Sequence, residues 1–182
     1  MARYVVFIRG INLGPNRRVT NVSLKEAFVN AGYKDAETVI QTGNVIFSSE
    51  SVTISTERLA KAILDITCIS VRLVIRTQQD IEKIVLASPF KVDFAPEGIK
   101  EPEFPVFHVI FLSHAFEPDY FQRIDKNLTG DEKCAVHNRE IFLYLPYGVS
   151  KSRLPSYLLA ADNSAVMRNW NTIAKIAERF TR

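Results

Sequence analysis

Residues 4–9, Tyr-Val-Val-Phe-Ile-Arg, form a β-branched and aromatic run closed by Gly10. The run is too short for a helix and predicts a central strand buried on one face. Leu24, Ala27, Phe28 and Ala31 then recur at i, i+3, i+4 and i+7, which predicts a helix. Ser23 and Glu26 are spaced as a capping box at its start, and Gly32 is placed to end it. Residues 38–41 and 44–48 flank Thr42-Gly43 and predict a hairpin. Leu59, Ala62, Ile63 and Ile66 repeat the helical spacing, and residues 69–76 alternate as a strand. The first half therefore reads β-α-β-β-α-β. Its compact solution is a four-stranded antiparallel sheet with both helices on one face, the ferredoxin-like arrangement. The other face of that sheet is left to solvent, a ligand or the second half of the chain.

Ile81, Ile84 and Val85 mark a third helix, stopped at Ser88-Pro89 because proline disfavours a helical residue before it. Pro96, Gly98, Pro102 and Pro105, mixed with charged residues, predict a connector over 89–105 that separates a subdomain over 1–88 from one over 106–182. Beyond it, residues 106–112 read as a strand. Phe121, Ile124 and Leu128 suggest a helix opened by Pro118, and residues 133–145 a hairpin turning near Asn138-Arg139. A helix over 154–161 follows. Trp170, Ile173, Ile176, Ala177 and Phe180 form an amphipathic stripe that should dock. The second half thus reads β-α-β-β-α-α, an incomplete echo of the first, and the chain as a whole is α+β.

Nearly half of the 182 residues are hydrophobic, enough to bury a core without staples. Cys68 and Cys134 match no metal or redox spacing and read as reduced thiols, which predicts a cytoplasmic protein. The apolar run over 4–8 is hemmed in by Arg3 and Arg9 and is too short for a signal-peptide core or a membrane span, so no membrane partner is expected. A net charge of +3 permits an acidic partner without demanding one.

No G-x-G-x-x-G, G-x-x-x-x-G-K-[ST] or G-x-S-x-G occurs, so dinucleotide, P-loop and hydrolase-elbow chemistry lose their usual signatures. His108 and His114 are six residues apart on one strand, roughly 20 Å at about 3.3 Å per residue, too far to share a metal. With His137 they read as structural or surface histidines. No cofactor and no metal is expected. Three clusters stand out instead. The segment 9–18, with Arg9, Asn12, Arg17 and Arg18 among glycines, leaves a strand for a helix N-terminus and has the composition of an anion cradle. The same composition also serves the turn geometry of a long β-α loop. Thr42-Gly43-Asn44 forms a hairpin turn. Arg168, Asn169, Asn171 and Thr172 would present donors at the start of the last helix, with Asn169 or Ser164 as its cap.

The motifs Phe7-Ile8-Arg9-Gly10-Ile11-Asn12-Leu13-Gly14, Ile40-Gln41-Thr42-Gly43-Asn44-Val45-Ile46-Phe47 and Arg168-Asn169-Trp170-Asn171-Thr172 together resemble the domain of unknown function 1697 family. The resemblance runs end to end and implies two ferredoxin-like subdomains, the second incomplete here, rather than a reaction. Two departures stand out against that family: Pro15-Asn16-Arg17-Arg18 where Gly-Lys-Asn is usual, and Val166 where a threonine commonly precedes Arg-Asn-Trp. The expected role is binding of an anionic ligand, a nucleotide, sugar phosphate or single-stranded nucleic acid. The contact residues expected are Arg9, Asn12, Arg17, Arg18, Asn44, Arg168, Asn169, Asn171 and Thr172. Phe7 and Phe47, on the first and third strands, would supply base stacking if exposed. An enzyme acting on a small phosphorylated or carboxylated metabolite and a protein-interaction module remain the alternatives. No recognisable catalytic motif supports the former.

Overall fold

The computed structural model describes residues 1–12, 18–40, 43–90, 106–116 and 124–181. The chain divides into two compact units, Met1–Glu82 with Lys175–Arg182, and Lys83–Ala174. Most of the expected connector, residues 91–105, lies outside the described residues.

In the first unit, strands β1 (Ala2–Arg9), β2 (Glu37–Thr38), β3 (Asn44–Ser49) and β4 (Arg72–Thr77) form an antiparallel sheet in the order β2-β3-β1-β4. Helices α1 (Asn21–Asn30) and α2 (Thr56–Thr67) connect them. The register pairs Val6 with both Val45 and Ile75, and strand alternation does the rest. Tyr4, Val6, Ile8, Val45, Phe47 and Leu73 face Leu24, Ala27, Phe28, Leu59 and Ile63 of the helices and make one core. Phe47 is its aromatic centre, with ring centroids of Tyr33 at 4.4 Å, Phe28 at 5.5 Å and Tyr4 at 5.6 Å.

The opposite sheet face, with Val5, Phe7, Asn44, Ile46, Val74 and Arg76, is buried as well. The last residues of helix α5 (Trp170–Phe180) belong to this unit. Arg3 donates from Nη1 to the Phe180 carbonyl at 2.9 Å and from Nη2 to the Arg179 carbonyl at 3.1 Å, and its guanidinium lies 5.2 Å from the Phe180 ring centroid. Arg179 also pairs with Glu37.

Local signals at the helix ends differ in part from expectation. The N-cap of α1 is Thr20, whose Oγ1 accepts from the Ser23 amide at 3.0 Å, so the Ser23–Glu26 capping box is not used. Gly32 does close α1: with φ of 96° it lets its own amide reach the Val29 carbonyl and that of Tyr33 reach the Phe28 carbonyl. Helix α3 (Gln78–Leu86) opens with a reciprocal pair. The Thr77 amide donates to Asp80 Oδ2 at 2.9 Å, and the Asp80 amide to Thr77 Oγ1 at 3.0 Å. Strand β2 ends at Thr38, earlier than expected, and Gln41 and Thr42 lie outside the described residues.

The second unit repeats the plan. Strands β5 (Phe107–Phe111), β6 (Lys133–His137), β7 (Glu140–Tyr144) and β8 (Val166–Asn169) form an antiparallel sheet in the order β6-β7-β5-β8. Ile110, Leu112, Ile141, Leu143 and Met167 pack with Ile124 and with Leu154 and Leu158 of helix α4 (Leu154–Ala161). Asn138 and Arg139 connect β6 to β7, with Asn138 at φ of 55°. Pro118 and Phe121 of the helix expected before β6 lie outside the described residues. One expectation is corrected: this sheet is not incomplete. Val166–Asn169, read from sequence as the approach to the last helix, is a fourth strand paired with β5, His108 opposite Asn169 and Phe111 opposite Val166. Four residues running straight into a helix offered too short an alternation to reveal it.

The cap assignment has a direct consequence. Thr20→Ala should cost about 1 kcal/mol of stability in urea denaturation. Glu26→Ala should change it by less than about 0.5 kcal/mol. A loss at Glu26 equal to that at Thr20 would restore the capping box.

Candidate functional site

The end of β1 is fixed from both sides. On one side the Ile8 amide donates to the Gly43 carbonyl at 2.8 Å. Gly43 has φ of 74°, and a Cβ there would lie 2.8 Å from Ile11 Cδ1 and 3.2 Å from Ile8 Cβ. Only glycine lets the β2–β3 turn close onto residues 8–11, so the Thr42-Gly43-Asn44 motif meets the Arg9-Gly10-Ile11-Asn12 motif here. On the other side, Arg9 stands opposite Arg72 of β4. Residues so paired have Cβ atoms about 5 Å apart on one sheet face, and like charges placed this way repel.

The loop after β1 returns on itself. Asn12, at φ of 57°, accepts a hydrogen bond at Oδ1 from the Val19 amide at 2.9 Å. Arg18 is therefore held next to Asn12, three residues beyond Arg9, and is exposed. Residues 13–17, Arg17 among them, lie outside the described residues. Arg9, Asn12, Arg18 and Arg72 thus gather at one end of the first sheet. Asn44, opposite Phe7 on β3, serves the hairpin: fully buried, it donates from Nδ2 to the Val39 carbonyl at 3.0 Å.

The third cluster belongs to the second unit. Arg168 and Asn169 are neighbours on β8, so they address opposite sheet faces. Arg168 donates from Nη1 to the Met167 carbonyl at 2.9 Å, and burial pulls its guanidinium down to about 10, still cationic at neutral pH. Asn169, rather than Ser164, caps α5. Its Oδ1 accepts from the Thr172 amide and hydroxyl, both at 2.9 Å, and Thr172 is buried while Asn171 is exposed. Asn169 and Thr172 therefore satisfy each other.

Two groups beyond the expected set have unusual surroundings. His108, opposite Asn169, is 7% exposed, and its Nδ1 has no hydrogen-bond partner among the described residues. Burial pushes the imidazole below its ordinary 6.5, against a backbone hydrogen bond with Val106. The spacing of histidines along the strand carried no signal of this, since burial follows from pairing with β7 and β8. Second, Asp162 Oδ2 accepts from the Ser113 amide at 2.8 Å and hydroxyl at 2.9 Å, and His114 Nδ1 lies 2.9 Å from that hydroxyl. Burial alone would raise the Asp162 carboxyl, but these bonds and one from the Ser164 amide hold it below its usual range. The hydroxyl stands between imidazole and carboxylate, whereas an activated serine needs the imidazole in the middle. Among the described residues, no three His, Cys, Asp or Glu side chains gather to hold a metal.

The family described as "Protein of unknown function (DUF1697)" matches residues 1–142. The chain belongs to that family. The resemblance carried by the β1 and β3 motifs is membership in DUF1697. No curated relative matches the sequence. Among solved structures, the conserved bacterial protein SP0830 from Streptococcus pneumoniae is similar to this DUF1697 chain, with a TM-score of 0.73 and 20% identity. That likeness covers 100% of this chain and 99% of the other, and it shows a shared fold. None of the described helices is long and apolar enough to cross a membrane.

His108 gives a pH test. An imidazole held below its unfolded value favours the folded state only while neutral. Stability should therefore be full above pH about 6.5 and fall as the pH drops through and below that value. His108→Leu should flatten the urea midpoint between pH 7.5 and 5.5. An unchanged slope would place the acid sensitivity elsewhere.

Proposed function

We propose that this chain binds a small anionic ligand, a phosphate or carboxylate, at the end of the first sheet. Arg9, Arg18 and Arg72 supply the charge there. The observation that supports the reading is the register that sets Arg9 opposite Arg72. Arginines at opposed strand positions can both reach one doubly charged oxyanion with their N–H forks. Gly10, with φ of 95°, keeps Cβ bulk away from the same turn.

The nucleic-acid version of this reading draws no support from the phenylalanines expected to stack. Phe7 is 0% and Phe47 1% exposed, and Phe47 lies in the helix-side core, so neither ring offers a face to a base. We read both units as ferredoxin-like, on their matching strand orders and on the β-α-β-β-α-β connectivity of the first. Cys68 and Cys134 are free cysteines, and we read them as reduced thiols of a cytoplasmic protein.

Titration with inorganic phosphate and with nucleoside monophosphates at low ionic strength tests the site. Wild type should bind saturably, and Arg9→Ala/Arg72→Ala should weaken binding about tenfold or more, as expected for loss of charge-assisted hydrogen bonds. Equal affinities, or no binding by wild type, would end the proposal.

A further inference from the structure

The Ser113–His114–Asp162 cluster of the second unit leaves one nitrogen exposed and oriented. Ser113 and His114 follow Leu112 just beyond β5, and Asp162 closes helix α4 as its C-cap. Asp162 Oδ1 accepts from the Ser164 amide at 2.8 Å, and Oδ2 from the Ser113 amide at 2.8 Å and hydroxyl at 2.9 Å. These bonds outweigh burial and keep the carboxylate ionised at neutral pH. A carboxylate only accepts, so the single proton of the Ser113 hydroxyl lies toward Asp162. The hydroxyl oxygen therefore meets His114 Nδ1, 2.9 Å away, with a lone pair, and the imidazole must donate Nδ1–H to it. In a neutral imidazole the other nitrogen then carries the lone pair. That nitrogen is Nε2. The His114 side chain is 64% exposed, and among the described residues nothing bonds to Nε2.

We infer that His114 is a phosphoryl-accepting histidine, attacking a small phosphoryl donor through Nε2 while Ser113 and Asp162 hold the ring. The order carboxylate, hydroxyl, imidazole activates the imidazole and leaves the serine without a base, the reverse of a serine nucleophile. In the step, the Nε2 lone pair forms the N–P bond as the bond from phosphorus to the leaving group breaks. With phosphoramidate as donor, the leaving nitrogen keeps that electron pair and its protons and departs as ammonia. The ring gains positive charge as it attacks. Its Nδ1–H remains on the Ser113 oxygen, and Asp162 Oδ2 stands 3.8 Å from Nδ1 to offset that charge. Exposure selects the group. An acyl group on an exposed imidazole is open to hydrolysis, whereas the negative oxygens of a phosphoryl group repel hydroxide and let the adduct persist. The other two histidines lack this arrangement: His108 is buried, and His137 is exposed on β6 without a hydroxyl–carboxylate chain behind it.

The site shares no residue with the arginine cluster of the first unit, so the two readings fail independently. The test is incubation of the full chain with potassium phosphoramidate, followed by intact mass, phosphorus NMR and mapping of the modified residue. Wild type should take a phosphoryl group on Nε2 of His114 ahead of His137, and His114→Gln should lose that label. Ser113→Ala, at an exposed position and with Asp162 still bonded to two amides, should fold as wild type and react about threefold more slowly, the rate equivalent of an exposed charge interaction. Ser113→Thr restores the hydroxyl and should restore the rate. Proton–nitrogen correlation spectra of the neutral imidazoles should show His114 protonated on Nδ1. The inference is overturned by any of these results: no phosphoryl transfer to wild type, equal labelling of His114 and His137, attachment at Nδ1, equal rates in Ser113→Ala and Ser113→Thr, or a His114 ring protonated on Nε2.

Discussion

The hydrogen bonding of β1 on both edges is the constraint from which the first unit follows. A strand paired with β3 on one side and β4 on the other can turn neither edge to solvent, and its residues must alternate between two covered faces. Val5, Val6 and Phe7 are each fully buried in consequence. The pairing also fixes what stands beside the strand where it leaves the sheet: Gly43 on one side and Arg72 on the other. The second unit obeys the same rule through β5, which lies between β7 and β8.

Each unit then expresses its chemistry where the central strand ends. At the C-terminal end of β1 the apolar run gives way to Arg9, which stands opposite Arg72. Beyond the C-terminal end of β5, Ser113 and His114 meet Asp162.

Much of this was legible in the sequence, and what was not has identifiable causes. Helical spacing located α1, α2 and α3 and alternation located β4, because burial on one stripe or face leaves a periodic trace, while β1 showed as a short β-branched and aromatic run. Thr20 escaped as a cap because Ser23 and Glu26 offered a plausible box three residues later. β8 escaped because four residues abutting a helix carry too little alternation. Among candidate ligand residues, Arg9, Asn12 and Arg18 are brought together by the Asn12–Val19 hydrogen bond, a contact between motif and loop end. Asn44, Asn169 and Thr172 looked like donors awaiting a ligand, yet each bonds within the fold. Arg72 was missed because an exposed arginine on an alternating strand reads as solvated, and only register shows that another arginine faces it. The burial of His108 is likewise a product of strand pairing.

The proposed anion binding depends most directly on Arg9 standing opposite Arg72 at the end of β1. The measurement is the thermal midpoint in sodium phosphate against sodium chloride at equal ionic strength, for wild type and Arg72→Ala. The prediction is a higher midpoint in phosphate for wild type and no difference between the salts for Arg72→Ala. Identical midpoints in the two salts for wild type, or the same phosphate gain in the variant, would contradict it.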